Sequence, residues 1–218
     1  MENLRKIIMS SLIVGLCSSA TFAAEGSEKY VPVSPGVKSV DITLNGESFT
    51  IMRNQTAGNK ISDLYVTTDR GTPQPMILAP GVETLGELEF IDYMKKAQTD
   101  KSIAIIDSRK PGWFARLRIP GAENVPFTNF DNKDDAIDMM EDYMGVKVKE
   151  DGTLDFTNAK TLALYCNGYW CGQTPGMVKN AKFALLKVGY PAEKIKYYRG
   201  GMQAWTSLGF TVVGDAAK

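Results

Sequence analysis

The chain has 218 residues, of which 44% are hydrophobic and 23% charged, a composition that suffices for one principal folded domain and gives no sign of disorder. Lys plus Arg and Asp plus Glu both number 25, so the net charge is zero and no basic excess favours nucleic-acid binding. Histidine is absent, which excludes histidine-based acid–base catalysis, imidazole metal ligation and every histidine-containing catalytic triad, and leaves cysteine, carboxylates, lysine, tyrosine and the backbone.

Residues 1–23 have the pattern of a cleaved secretory signal peptide. Two basic residues precede an apolar run over residues 7–16, and Thr21-Phe22-Ala23 provides a small-x-small cleavage site. The run is too short for the roughly 20 residues of a membrane-spanning helix, so no stable span is expected after cleavage. Cys17 is expected to leave with the signal peptide. We therefore predict an exported protein, with the periplasm as its compartment, that keeps two cysteines.

Residues 24–83 are predicted to form an N-terminal extension that contains a β-hairpin and a loop. Apolar residues alternate over 40–44 and 49–51, on either side of Asn45-Gly46. This dipeptide favours a type I′ turn, so the segment predicts an antiparallel hairpin. Residues 57–81 are rich in Thr, Gly, Asp and Pro without a sustained period, which is typical of a connecting loop; draping over the main domain is one interpretation.

From residue 84 the pattern alternates between helices and strands, and residues 84–214 are predicted to form one α/β domain. The expected helices are 84–97, which starts at a Thr84–Glu87 capping box, 136–144, 175–188 and 202–208; the expected strands are 102–107, 161–166 and 195–198. This order predicts a mainly parallel central sheet with helices on both faces. Ligands of such sheets bind beyond the C-terminal strand ends, where Asp107 and Cys166 fall.

The segment 161–175, TLALYCNGYWCGQTP, presents a cysteine between a buried-type strand and a new helix. Thr174 and Pro175 are predicted to be the N-cap and the first residue of that helix. Backbone N–H groups of residues 167–172 and the positive end of the helix dipole would favour the thiolate of Cys166. The alternative is an inert, buried cysteine.

Three segments in register resemble the rhodanese (sulfurtransferase) family. They are Asp107-Ser108-Arg109 followed by IPGAENVP at 119–126, CNGYWC at 166–171 and RGGMQAW at 199–205. The resemblance spans residues 84–213 and implies a rhodanese-like fold. It also implies a sulfurtransferase whose Cys166 takes a sulfane sulfur from a small sulfur-containing donor, holds it as a persulfide and passes it to a thiol or to a cyanide-type acceptor. Neither a cofactor nor a metal is implied.

The resemblance assigns roles to the residues of the cysteine loop and of two flanking segments. Cys166 is the catalytic residue, and the substrate-binding loop comprises Asn167, Gly168, Tyr169, Trp170, Cys171 and Gly172. Gly168 is expected to permit backbone angles that a side chain would forbid. Tyr169 and Trp170 either wall the pocket or pack as ordinary aromatics. Asp107, Arg109 and Arg199 are candidates for anion binding or structural support, and a structural ion pair is favoured for Arg109.

The loop departs from the family pattern in its charge. Residues 167–172 carry no charged side chain, which argues against thiosulfate as the natural donor. They also lack the arginine with which phosphatases of this fold bind phosphate, so phosphatase activity is not expected. The histidine that often precedes the Ile-Pro-Gly-Ala segment is replaced by Arg118.

Cys171 is the second departure, and it leaves three functional classes open. As a resolving thiol, Cys171 would attack the persulfide on Cys166, release sulfide and leave a disulfide; as a packing cysteine, it would do neither. The first class is therefore a sulfurtransferase, and the second is a thiol–disulfide redox protein that uses both cysteines. The third is a non-catalytic rhodanese-like module that binds a protein partner.

Overall fold

The computed structural model describes residues 30–217, and its centre is a five-stranded parallel sheet. In spatial order the strands are β3 (Glu83–Leu85), β9 (Ile195–Tyr198), β8 (Thr161–Tyr165), β4 (Ile103–Asp107) and β5 (Glu123–Asn124). Strands β4 and β8 are buried beyond their first residues, as expected for a parallel sheet that is covered on both faces. The predicted mainly parallel sheet is confirmed. The predicted signal peptide and Cys17 lie outside the described residues.

Helices and turns cover both faces of this sheet. The α-helices are α1 (Glu87–Ala97), α2 (Pro111–Arg116), α3 (Lys133–Met144), α4 (Gln173–Pro175) and α5 (Gly201–Ser207). Short 3₁₀ helices lie at Phe127–Asp131 and Ala192–Lys194, and a two-stranded ladder joins β6 (Lys147–Val148) to β7 (Leu154–Asp155). One apolar core lies between the sheet and α3, and the other lies between the sheet, α1 and α5. No helix within residues 30–217 is long and apolar enough to cross a bilayer.

The N-terminal extension begins with the predicted hairpin. Strands β1 (Ser39–Leu44) and β2 (Glu47–Met52) pair in antiparallel register, and Asn45 and Gly46 have φ values of 50° and 81°. Positive φ at both turn residues is the signature of the type I′ turn, so the predicted hairpin is confirmed. Its inward side chains, with Ile51 fully buried, join the core that contains α1 and α5.

The predicted capping box at Thr84 is wrong. Thr84 lies in β3 and pairs with Tyr197 of β9, while Gly86 is the N-cap of α1 and supplies no side-chain cap. Pairing at the sheet edge gives the Thr84 backbone its partners, and its hydroxyl donates to the carbonyl oxygen of Met76. Tertiary pairing therefore prevailed over the local capping pattern.

The predicted continuous helix over residues 175–188 is also wrong. Gly172 rather than Thr174 is the N-cap of α4, a π-helical turn follows at Gly176–Asn180, and residues 182–188 form turns. The helix is interrupted because the backbone at Ala181 is extended and the N–H of Phe183 donates to a carbonyl outside the segment, at 2.8 Å. The helix dipole behind the cysteine loop is accordingly much shorter than the sequence pattern predicted.

Candidate active site

The cysteine loop begins where β8 ends, and the start of α5 donates two backbone hydrogen bonds to it. The N–H groups of Met202 and Gln203 donate to the carbonyl oxygens of Cys166 and Asn167, at 3.0 and 2.9 Å. This contact requires a glycine at position 201, because a Cβ there would lie 2.3 Å from the Cys166 carbonyl oxygen. The first turn of α5 therefore fixes the backbone that carries the candidate nucleophile.

Backbone groups lie close to both sulfur atoms of the loop, and the Cys166 thiol donates to the Cys171 carbonyl oxygen at 3.5 Å. The N–H of Cys171 donates to the carbonyl oxygen of Gly168 at 2.9 Å and closes the loop into a tight turn. The N–H groups of Gly168 and Thr174 face the Cys166 sulfur, and those of Asn167 and Gln173 face the Cys171 sulfur. The backbone donors near the two sulfur atoms thus include residues of α4 as well as residues in the predicted range 167–172.

The two thiols are unequal in acidity. Burial raises the pKa of Cys166, but hydrogen bonds from the Cys171 thiol, from the hydroxyl and N–H of Thr174 and from the N–H of Gly168 outweigh it and lower that pKa below its ordinary value. The hydrogen bond to Cys166, together with burial, raises the pKa of Cys171 above its ordinary value. Both cysteines are free and buried, and the loop favours the thiolate at Cys166 and the thiol at Cys171.

Thr174 was predicted only as a helix cap, and its contact with the nucleophile was missed. Its hydroxyl lies 2.7 Å from that of Ser108, which in turn donates to the Tyr165 carbonyl oxygen at 2.9 Å; both hydroxyls are fully buried. The only signal in the sequence was a hydroxyl residue three positions after Cys171. The structure adds Ser108, from the Asp-Ser-Arg segment, as the residue that holds Thr174 in place.

Asp107 and Arg109 form a buried ion pair beneath the loop. The guanidinium of Arg109 donates through Nε to Asp107 Oδ1 at 2.8 Å and through Nη2 to the Leu117 carbonyl oxygen at 2.6 Å. Its Nη1 donates to the Tyr65 hydroxyl and to Asn167 Oδ1, at 3.1 and 3.2 Å. Because every nitrogen of this fully buried group binds protein, its role is structural support of Asn167 rather than anion binding.

A segment of the extension lies across the cysteine loop. We call residues 65–78 the strap. The Tyr65 hydroxyl donates to Asn167 Oδ1 at 3.1 Å, and the N–H of Gln74 donates to the Tyr169 carbonyl oxygen at 2.7 Å. The sequence indicated a loop here but gave no role, because its partners lie about a hundred residues away along the chain.

The strap is also held by cationic side chains. Arg199 donates through Nε and Nη2 to the Gln74 carbonyl oxygen, at 3.0 and 2.7 Å, and its guanidinium lies 5.0 Å from the centre of the Tyr169 ring. Arg70 of the strap lies over the Trp170 ring at 5.5 Å. Cys166 is only 1% exposed, and the strap packs on the loop that carries it.

The other predicted loop residues occupy distinct positions around the thiols. Tyr169 is 41% exposed and lies at the rim, whereas Trp170 is half-buried under the strap. Gly168 is required for space: a Cβ there would lie 2.7 Å from Gln203 Oε1. Gly172 is exposed and precedes α4. Within residues 30–217, no cluster of three or more cysteine, aspartate or glutamate side chains is placed to hold a metal ion.

Comparison with known proteins identifies a family for most of this region. Residues 90–208, more than half of the chain, match the model of the family described as "Rhodanese-like domain". No curated protein sequence matches the chain significantly.

Several solved structures are similar in fold at low sequence identity. The BH2092 protein from Bacillus halodurans is 17% identical with a TM-score of 0.43, over 62% of this chain and 79% of that one. The thiosulfate sulfurtransferase from Pseudomonas aeruginosa is 16% identical with a TM-score of 0.41, over 63% of this chain but only 21% of that protein. The rhodanese-like domain of the Alr3790 protein from Anabaena sp. is 17% identical with a TM-score of 0.39, over 63% and 82%.

Proposed function

Because the chain belongs to the rhodanese-like domain family, we propose that it is a sulfurtransferase that carries a sulfane sulfur as a persulfide on Cys166. The feature that supports this most directly is the set of donors from Cys171, Thr174 and Gly168, which lowers the pKa of Cys166 although the thiol is buried. A lowered pKa raises the ionised fraction of the thiol at neutral pH, and the thiolate is the nucleophilic form. An inert packing cysteine in an apolar site would instead have a raised pKa.

The transfer takes place in two displacements on sulfur. In the first, the Cys166 thiolate forms a bond to the outer sulfur of the donor, and the bond from that sulfur to the rest of the donor breaks, its electron pair leaving with the departing group. In the second, an acceptor thiolate or cyanide attacks the outer sulfur, and Cys166 departs as a thiolate. Donors and acceptors are small sulfur compounds or thiols. The cysteine ends each cycle unchanged.

The same backbone donors serve the second displacement, in which negative charge returns to the Cys166 sulfur. The N–H groups of Gly168 and Thr174 stabilise that charge, as they do in lowering the pKa of the reduced thiol. Donors that are fixed before the reaction stabilise developing negative charge without reorganisation, so the protein has no need of a histidine or a cofactor for these steps. The proposed mechanism is therefore consistent with a chain that contains no histidine.

Intact mass tests this proposal. The protein that begins after residue 23 is exposed to sulfane-sulfur donors, including polysulfide and thiosulfate, and weighed without reductant beside Cys166→Ser and Cys171→Ser. We expect a gain of one sulfur in the parent and in Cys171→Ser, and no gain in Cys166→Ser. The absence of any gain in the parent protein, with Cys166 still open to alkylation, would contradict the proposal and favour a non-catalytic module that binds a protein partner.

A thiol–disulfide redox protein is the second candidate, favoured by the hydrogen bond between the Cys166 and Cys171 thiols. After loading, the Cys171 sulfur would attack the inner sulfur of Cys166, and the outer sulfur would leave as hydrosulfide. The two cysteines are then oxidised by two electrons and the sulfane sulfur is reduced, so an external dithiol must restore them. A loss of two hydrogens with no retained sulfur identifies this outcome, provided that it disappears in both serine variants.

Export to the periplasm is part of the proposal and rests on residues 1–23. Cell fractionation of the full-length chain, with N-terminal sequencing of the mature form, tests it. We expect the periplasmic fraction and an N-terminus at Ala24. A cytoplasmic protein that keeps residues 1–23 would overturn this part alone.

A further inference from the structure

Tyr197 has a buried hydroxyl group whose role the fold does not explain. No sequence pattern indicated this residue. The side chain lies in β9 and is fully buried, and its hydroxyl has no hydrogen-bond partner within residues 30–217. The neighbouring buried tyrosine of the same core, Tyr190, donates to the Lys160 carbonyl oxygen at 2.6 Å. A buried hydroxyl without a partner costs stability, and such groups occur where a partner arrives during function.

Strand register places Tyr197 on the same face of the sheet as the nucleophile. Tyr197 is opposite Leu164 of the adjacent strand β8, and both belong to the core under α3. Side chains alternate along a strand, so Cys166, two residues after Leu164, emerges on that same face. The opposite face carries Tyr165 and Tyr198. The ring of Tyr197 therefore lies alongside the strand end that presents Cys166.

The charges around Tyr197 agree with this placement. Burial raises the pKa of its hydroxyl, the negative charges of Cys166 and Cys171 raise it further, and Arg199 lowers it. The hydroxyl is thus within electrostatic range of both sulfurs, yet it is hydrogen-bonded to neither in the reduced protein. An S–S bond is about 2 Å long, so a sulfur added to Cys166 extends past the reduced sulfur into its surroundings.

We propose that the Tyr197 hydroxyl donates a hydrogen bond to the outer sulfur of the Cys166 persulfide. This inference rests on the proposed function, since it requires the persulfide to form. On loading, the negative charge passes from the Cys166 sulfur to the outer sulfur, beyond the donors that bind the thiolate. The hydroxyl stabilises the charge in that new position, and the proton stays on Tyr197.

The variant Tyr197→Phe tests the inference, because it keeps the ring and removes only the hydroxyl. We expect the variant to fold with an unchanged or higher Tm, since no hydrogen bond of the reduced protein is lost. The persulfidated fraction at a fixed donor concentration, measured by intact mass, is expected to fall about tenfold, as for the loss of one donor to a charged group. The maximal transfer rate should fall with it.

Tyr190→Phe is the matched control, since it removes a bonded hydroxyl from the same core. It should lower the Tm and leave loading unchanged. A third measurement separates the proposed role from packing: persulfidation should raise the Tm of the parent protein more than that of Tyr197→Phe. Equal loading and equal Tm gains in the parent and Tyr197→Phe would overturn the inference while leaving the sulfurtransferase in place. A parent protein that forms no persulfide would overturn both.

Discussion

At the scale of single residues, Thr174 contributes to the acidity of Cys166. It gives Cys166 two donors, the backbone N–H and the hydroxyl, and Ser108 fixes the hydroxyl at 2.7 Å. Both donors favour the charged form of the sulfur, so both lower its pKa. Since burial acts in the opposite direction, the acidity of Cys166 depends on keeping these donors.

Thr174→Val should raise the pKa of Cys166. The substitution removes the hydroxyl donor and keeps the shape, and a hydrogen bond to a charged group is worth about 1.5–3 kcal/mol, or roughly one to two pH units. The thiolate fraction at pH 7 falls accordingly. The pH dependence of iodoacetamide alkylation, read by intact mass, measures the midpoint. Thr174→Ser, which keeps a hydroxyl, should retain the parent midpoint; an unshifted midpoint in Thr174→Val would contradict the assignment.

Asp107→Asn should destabilise the fold strongly. It leaves the Arg109 guanidinium charged, fully buried and without its carboxylate, a change that typically costs about 3–5 kcal/mol. Urea unfolding measures the loss. Asp92→Asn, which breaks the half-exposed ion pair with Lys96 in α1, is the control and should leave the midpoint nearly unchanged. Similar midpoints for the two variants would show that the buried pair is dispensable.

Cys166 could be proposed from the sequence because the signals that indicate it are local. An apolar strand, a glycine-bearing turn and a new helix lie within fifteen residues, and the pattern needs no knowledge of distant partners. Tyr65 could not be found in this way, because its partner Asn167 is 102 residues away along the chain. Tyr197 could not be identified for another reason. In a buried strand, a tyrosine with a functional role and a tyrosine of the core occupy the same positions of the apolar pattern.

At the scale of elements, we expect the strap to control access to Cys166. Its Gln74 bonds to Tyr169 through the backbone N–H and to Arg199 through the backbone carbonyl. Because Cys166 is 1% exposed and the strap packs on its loop, we expect a reagent to reach the sulfur only after the strap moves away. The reactivity of the thiol in the folded protein should therefore follow the stability of these strap contacts.

Gln74→Pro tests this control, because proline lacks the N–H that bonds to the Tyr169 carbonyl. We expect alkylation of Cys166 by iodoacetamide to be about fivefold to tenfold faster, the effect of losing one backbone hydrogen bond. Gln74→Ala keeps the N–H and should react at close to the parent rate. Thermal unfolding should place both variants near the parent. An equal alkylation rate in all three proteins would show that the strap does not limit access.

Elements with strong periodicity were predicted well, and those decided by tertiary contacts were not. Strands β4, β8 and β9 were found within one residue of their ends, because buried strands are continuous apolar runs. The helix predicted over 175–188 failed where the Phe183 N–H bonds to Phe130 instead of a helical carbonyl. No local sequence pattern predicts a backbone hydrogen bond between residues so far apart in the chain.

At the scale of the whole molecule, the extension and the family-matched region share one core. The inward side chains of β1 and β2 pack with Trp205 and Phe210, and the strap packs on the cysteine loop. The sequence predicted the fold class and the hairpin separately. It could not predict their packing together, because the residues on each side are simply apolar, and apolar residues do not specify their partners.

A chain that begins at residue 84 should fail to fold stably. Removal of the hairpin exposes the apolar surface around Trp205 and Phe210, and burial of apolar surface is the main source of stability in a small domain. Circular dichroism and thermal unfolding measure the outcome, with a chain that begins at residue 30 as the control. A cooperative transition at the control's Tm would show that residues 84–214 are an independent domain.

The strap is anchored at both ends, so under the proposed function it would compete with the sulfur donor for the cysteine loop. The strap lies between β2, whose Met52 bonds to Thr211, and β3, which pairs with β9. An opened strap therefore stays at high local concentration and recloses rapidly. Under the proposed function a sulfur donor must displace the strap, so the apparent affinity would equal the intrinsic affinity multiplied by the open fraction. Reclosure between turnovers would bury Cys166 again and so limit its oxidation.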